Sequence, residues 1–74
     1  MDRLDLRNAS KVPVQGRHVD NLQGLLNATR RYKLVIDGKA GDATKKAVLD
    51  WQKFRKLTAD GIVGDATWRD LIEF

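Results

Sequence analysis

Apolar residues recur at helical spacing over three stretches of this chain and are irregular elsewhere. From His18, the residues Val19, Leu22, Leu25 and Leu26 fall on one side and Asp20 and Asn21 on the other, which predicts a first helix over about residues 18–31. Thr44, Ala47, Val48, Trp51 and Phe54 (or Arg55) form a second inward stripe, over about residues 42–56. Asp42 in its first turn and Lys53, Arg55 and Lys56 in its last complement the helix dipole. Trp68, Leu71 and Ile72 mark the apolar face of a short third helix, over about residues 65–73. Between the first two helices, Tyr32 to Ile36 is too short and too continuous to be a helix, and reads as a buried extended link or short strand. The expected fold is all-α, a small three-helix bundle. Residues 1–15 hold the only proline, Pro13, and no helical period, so they read as an arm or linker before a folded domain at 16–74.

The helices are entered through a repeat. Asp37-Gly38-Lys39-Ala40-Gly41-Asp42-Ala43-Thr44 and Asp60-Gly61-Ile62-Val63-Gly64-Asp65-Ala66-Thr67 agree at six of eight positions, at a constant offset of 23. A turn plus a helix start used twice is one supersecondary unit used twice. The aspartates can close Asx-type turns on backbone N–H groups ahead of them. Gly38 and Gly61 can take positive φ, and Gly41 and Gly64 sit where the backbone bends into a helix. Thr44 and Thr67, in the first helical turns, bring oxygens near unpaired N–H donors. The plain reading of Gly41, Thr44, Gly61, Gly64 and Thr67 is structural.

Size and composition narrow the possibilities. Seventy-four residues make one domain, and with no cysteine there is no disulfide or thiolate metal site to staple it. Its stability has to come from apolar packing, leaving roughly 3–5 kcal/mol net at this size, so few large apolar residues can be spared for a ligand. The net charge of +4 is uneven: residues 1–33 carry seven basic and three acidic side chains, residues 34–74 seven of each. That bias favours an anionic partner without choosing one. No apolar run approaches membrane-spanning length. The N-terminal Met1-Asp2-Arg3-Leu4-Asp5-Leu6 alternates in charge and has no apolar signal core, so action outside a cytoplasm would follow release by lysis, fusion to an exported protein, or loss of a leader.

The order Val19-x-x-Leu22-Gln23-x-x-Leu26, then Asp37-Gly38-x-x-Gly41-x-x-Thr44-x-x-Ala47-Val48-x-x-Trp51-Gln52, then Leu57-x-x-Asp60-Gly61-Ile62-Val63-Gly64-x-x-Thr67-Trp68-x-x-Leu71 resembles the peptidoglycan-binding domain family over about residues 14–74. That family is a three-helix module found on many bacterial and phage lytic enzymes, carboxypeptidases and spore-cortex hydrolases. Ala40 stands where the family usually has a large apolar residue, and Thr29-Arg30-Arg31-Tyr32 where it commonly has a glycine. The resemblance implies a non-catalytic module that grips cell-wall peptidoglycan, by glycan strand or stem peptide, and targets a lytic or wall-remodelling enzyme in the wall or outside the cell. A protein-docking or structural domain on the same fold, without glycan binding, is the alternative.

The ligand-contact candidates are Tyr32, beside the unusual loop, Asp37 and Gly38 in the first turn, Asp60 in the second, and Trp51, Gln52, Arg30 and Arg31. An indole can stack on a sugar ring, although Trp51 and Trp68 both lie on inward stripes. Gln23 and Gln52 can bond acetamido or peptide groups, or tie a loop backbone down. Arg30, Arg31 and Lys33 can pair with wall carboxylates or phosphates, or simply solvate a helix end. A single histidine, no cysteine and aspartates committed to turns leave no catalytic set, and no metal or cofactor is expected. Basic residues are not interleaved with aromatics on one face, which argues against nucleic acid.

Overall fold

The computed structural model describes residues 3–16 and 18–74; Met1, Asp2 and Arg17, counted in the charge above, lie outside the described residues. The elements follow the order β1 (Leu4–Asp5), β2 (Val14–Gln15), α1 (Val19–Arg30), β3 (Lys39–Ala40), α2 (Asp42–Phe54), β4 (Ile62–Val63) and α3 (Asp65–Glu73). The three helices fall within two residues of the boundaries that the apolar period predicts. α1 packs against both α2 and α3. The core runs through Val19, Leu22 and Leu26 of α1, Val48 and Trp51 of α2, and Trp68 and Leu71 of α3. Where two residues differ from expectation, the reason is position. Phe54 ends α2 and is 47% exposed, and Ile72, one residue past Leu71, is 54% exposed.

The link between α1 and α2 also departs from its expected form. It is neither a strand nor buried: Val35 and Ile36 are exposed, and only Leu34 and Tyr32 pack against the core. Leu34 is held by its backbone. Asn27 of α1 donates from Nδ2 to the Leu34 carbonyl (2.9 Å) and accepts the Leu34 N–H on Oδ1 (2.7 Å). One side chain thus does for the loop what a neighbouring strand would do, and the apolar residues after it are left facing solvent.

The segment expected to be an arm or linker is packed onto the domain. Leu6 is fully buried, and Leu4 and Ala9 lie in the core with it. β1 pairs antiparallel with β4, matching Leu4 to Val63, and β2 pairs antiparallel with β3, matching Val14 to Ala40. The Leu6 N–H extends the first ladder to the Gly61 carbonyl (2.9 Å), and Lys45 Nζ of α2 donates to the Arg7 carbonyl (2.9 Å). Residues 4–15 therefore reach one copy of the repeat and then the other. The boundary near residue 15 is a change of periodicity and not of packing.

The two repeats share one conformation. Gly38 and Gly61 have φ of 75° and 74°, where a Cβ would be strained. Gly41 and Gly64 are extended N-cap residues with φ of −100° and −102°. Each loop closes on its aspartate, since Asp37 Oδ1 accepts the Lys39 N–H (3.0 Å) and Asp60 Oδ1 the Ile62 N–H (2.9 Å). Each is then tied to the preceding helix by a buried glutamine. Gln23 Nε2 donates to Asp37 Oδ1 (3.2 Å), the Lys39 carbonyl (3.0 Å) and Thr44 Oγ1 (3.3 Å). Gln52 Nε2 donates to Asp60 Oδ1, the Ile62 carbonyl and Thr67 Oγ1 at the same three distances. Their Oε1 atoms accept the Gly38 and Gly61 N–H groups, each at 3.1 Å.

Two expectations follow. Gln52→Ala strands the buried Gly61 N–H and should cost about 2–3 kcal/mol, seen in thermal unfolding as a midpoint lowered by about 10 °C or more; an unchanged midpoint would remove the glutamine's structural role. Leu6→Ala should cost about 3–4 kcal/mol in urea unfolding, while Val12→Ala, at a position 63% exposed, stays within about 0.5 kcal/mol of the parent. Equal, small effects for both would mean that the arm is not part of the core.

Candidate functional site

Each repeated loop forms a cleft against the start of the helix it feeds. The first cleft, of about 380 Å³, is walled by the loop from Tyr32 to Lys39 and by the first turn of α2. Lys33, Lys39, Asp37 and Asp42 are the charged residues of its lining, and Leu34 and Ala43 are apolar ones. The second, of about 470 Å³, is walled by the segment from Lys56 to Ile62 and by the first turn of α3. Tyr32, Leu34 and Ala43 also line a third hollow, which opens between the loop and α2 and is bounded by Lys46, Ala47 and Asp50.

Local structure sets the chemistry of the first cleft. Lys33 adopts a left-handed backbone, φ 61°, which turns the chain just after α1. The phenol of Tyr32 donates to Asp50 Oδ2 (2.6 Å); partial burial first, and this bond second, push its pKa up, so it stays a neutral donor. Arg30 Nε reaches the same carboxylate oxygen at 3.7 Å, and its guanidinium lies 3.9 Å from the centre of the Phe54 ring. The Asp37 carboxyl is held below the usual carboxylate range, chiefly by the Lys39 N–H and then by the Gln23 amide. Asp42 is lowered as well, by the Ser10 hydroxyl and then by Lys46. Both therefore remain charged at neutral pH, and with Lys33 and Lys39 they give the cleft both signs of charge.

The sequence candidates separate into those that face this surface and those that do not. Tyr32 and Asp37 line the first cleft and Asp60 the second. Gly38 shapes the first turn and spends its N–H on Gln23. Arg30 is drawn to Tyr32 through Asp50. Arg31 is exposed and ends α1 in a left-handed conformation, φ 57°, with its N–H on the Asn27 carbonyl. Trp51 and Gln52 are buried and line neither cleft. Trp51 has no exposed surface, and its ring is enclosed by Phe54 and Phe74 at centroid distances of 5.8 and 5.1 Å. Gln52 is 1% exposed and fully engaged in holding the second loop. Gly41 and Gly64 are the N-cap residues of α2 and α3, Gly61 turns at φ 74°, and Thr44 and Thr67 in the first helical turns accept from Gln23 and Gln52.

Sequence reasoning missed Lys39, Asp42 and Ala43 as cleft residues, and all of Lys56, Leu57 and Asp65. The signal was present: the offset of 23 continues upstream, where Lys33-Leu34 matches Lys56-Leu57, and Lys33 and Lys56 share a left-handed φ of 61° and 58°. Also missed were the exposed Phe54 and Phe74 rings, 6.4 Å apart, with Arg55 5.0 Å from Phe74 and paired to Asp70. His18 lies edge-on to Trp68 and within 3.2 Å of the Asn21 amide. Among the described residues, no group of three His, Cys, Asp or Glu side chains is placed to hold a metal ion, and no helix is long and apolar enough to cross a membrane.

Residues 15–71 match the family model of a peptidoglycan binding domain. No curated protein and no solved structure matches the chain. The match spans α1, α2, the first seven residues of α3, both turns and both glutamine ties, and the chain belongs to the peptidoglycan-binding domain family.

Proposed function

We propose that this domain binds peptidoglycan in the first cleft, without cleaving it, and so keeps an attached or partner wall-degrading enzyme close to its substrate. The observation that carries the reading is a cleft of both charge signs on a latched loop, in a chain of this family. Lys33 and Lys39 suit the carboxylates of stem peptides, and Asp37 and Asp42 suit amide and ammonium donors. Tyr32 supplies a flat ring with a polar tip beside them. A shallow cleft makes few contacts, so affinity for a single unit is low. Tethering to an enzyme makes low affinity useful by raising effective concentration. The site of action is the cell wall. One histidine and no cysteine leave few groups for a hydrolytic set, which supports a binding role.

The alternative, docking of a protein on the same fold, draws on the exposed Phe54 and Phe74 rings. Sedimentation with insoluble peptidoglycan separates the two readings. The parent chain should pellet with the wall at low salt, and Lys33→Gln with Lys39→Gln should bind about tenfold more weakly, the loss of about one charge-assisted contact. A parent chain that stays in the supernatant sinks the proposal. Retention that ignores the lysines and is lost with Phe54→Ser moves the contact to the aromatic face.

A further inference from the structure

We infer that the second cleft is a second binding site for the same ligand chemistry, so that one domain engages two units of the wall polymer at once. This rests on the proposed peptidoglycan reading and extends it from one site to two.

The two clefts correspond residue by residue. All nine residues that line the second cleft, shifted by 23 positions, land on residues that line the first. Seven of the nine are the same amino acid: the pairs Lys33/Lys56, Leu34/Leu57, Asp37/Asp60, Gly41/Gly64, Asp42/Asp65 and Ala43/Ala66 are joined by Thr44/Thr67. Backbone conformation agrees where it is least free, at the two lysines (61° and 58°) and the two turn glycines (75° and 74°). A fold needs the glycines, aspartates and threonines of the repeat for its turns. It does not need an exposed lysine and an exposed alanine in the lining of each cleft. Two hollows with the same ammonium, carboxylate and apolar wall accept the same chemical group. A polymer of one repeating unit is the ligand class that presents such a group twice, and the whole domain is only 27 Å in its longest dimension.

The sites are equivalent and not identical. Lys39 in the first is Ile62 in the second, Val35 is Thr58, and Tyr32 and Gln23, which line the first, have no counterpart in the lining of the second. With its additional ammonium, the first cleft should bind an anionic unit more tightly and with a steeper dependence on salt.

The test uses the whole 74-residue chain, a purified disaccharide-peptide monomer and a glycan oligomer of several such units, with backbone amide shifts and calorimetry as readouts. The alanines are exposed at the starts of α2 and α3, so Ala43→Phe and Ala66→Phe fill one cleft each, and circular dichroism checks that the fold is kept. The parent should take two monomers, shifting amides in both 33–44 and 56–67, and bind the oligomer about a hundredfold more tightly than the monomer. Either single variant should take one monomer and lose that gain. One monomer per parent domain, with shifts confined to 33–44 and no effect of Ala66→Phe, would overturn the inference while leaving the peptidoglycan reading intact. No binding of monomer, oligomer or insoluble wall would remove both.

Discussion

A primary amide taken out of water has four hydrogen-bonding positions to satisfy, and each buried polar group left unpaired costs about 1–3 kcal/mol. The domain buries two such amides, Gln23 and Gln52, and satisfies both in the same way, between a turn glycine, a turn aspartate, a strand carbonyl and a helix-entry threonine. The loops are consequently not free to choose another shape, because any alternative strands an amide inside the core. Everything that gives the surface its form descends from this constraint. The left-handed glycines, the short strands, the first turns of α2 and α3 and the clefts beside them all sit on one side or the other of a glutamine.

A core this small cannot afford a passive arm. β1 binds the loop held by Gln52 and β2 the loop held by Gln23, so one stretch of chain bridges both copies of the repeat. Leu6, between them, is as buried as the tryptophan at the centre of the bundle. The fold is then a helical bundle whose two loops are latched from inside by amides and from outside by two-residue ladders. The outer ladder of the second copy is also where Arg7 lies against Gly61; a side chain at that glycine would meet the arm at ordinary contact distance, and its cost would be the strained backbone, φ 74°.

Much of this was legible in the residues, and the parts that were not have physical reasons. The helices were readable because their apolar stripes keep the period of 3.6, and the likeness of the two loops because eight consecutive positions align without a gap. The glutamine ties were readable only as one of two options. Gln23 precedes its aspartate by 14 residues and Gln52 by 8, so the offset that links the loops does not link their latches. The arm was misread because Leu4-Asp5-Leu6 shows a strand's alternation for too few residues to stand out. Val35 and Ile36 were misread as buried because their apolar character carries no trace of Asn27, which fixes Leu34 and leaves its neighbours outside. Trp51 drew attention as an aromatic able to stack on sugar, but the inward stripe carries its ring into the core.

Two buried amides hold both loops in one shape. Hydrogen exchange at the Gln23 and Gln52 side-chain amides and at the Gly38 and Gly61 backbone N–H groups, followed by nuclear magnetic resonance, tests it most directly. All four should exchange far more slowly than the side-chain amide of Gln15, which lies on the exposed face of β2. Exchange as fast as that of Gln15 at either glutamine would mean that its loop is not latched, and the shared architecture of the two clefts would have no cause.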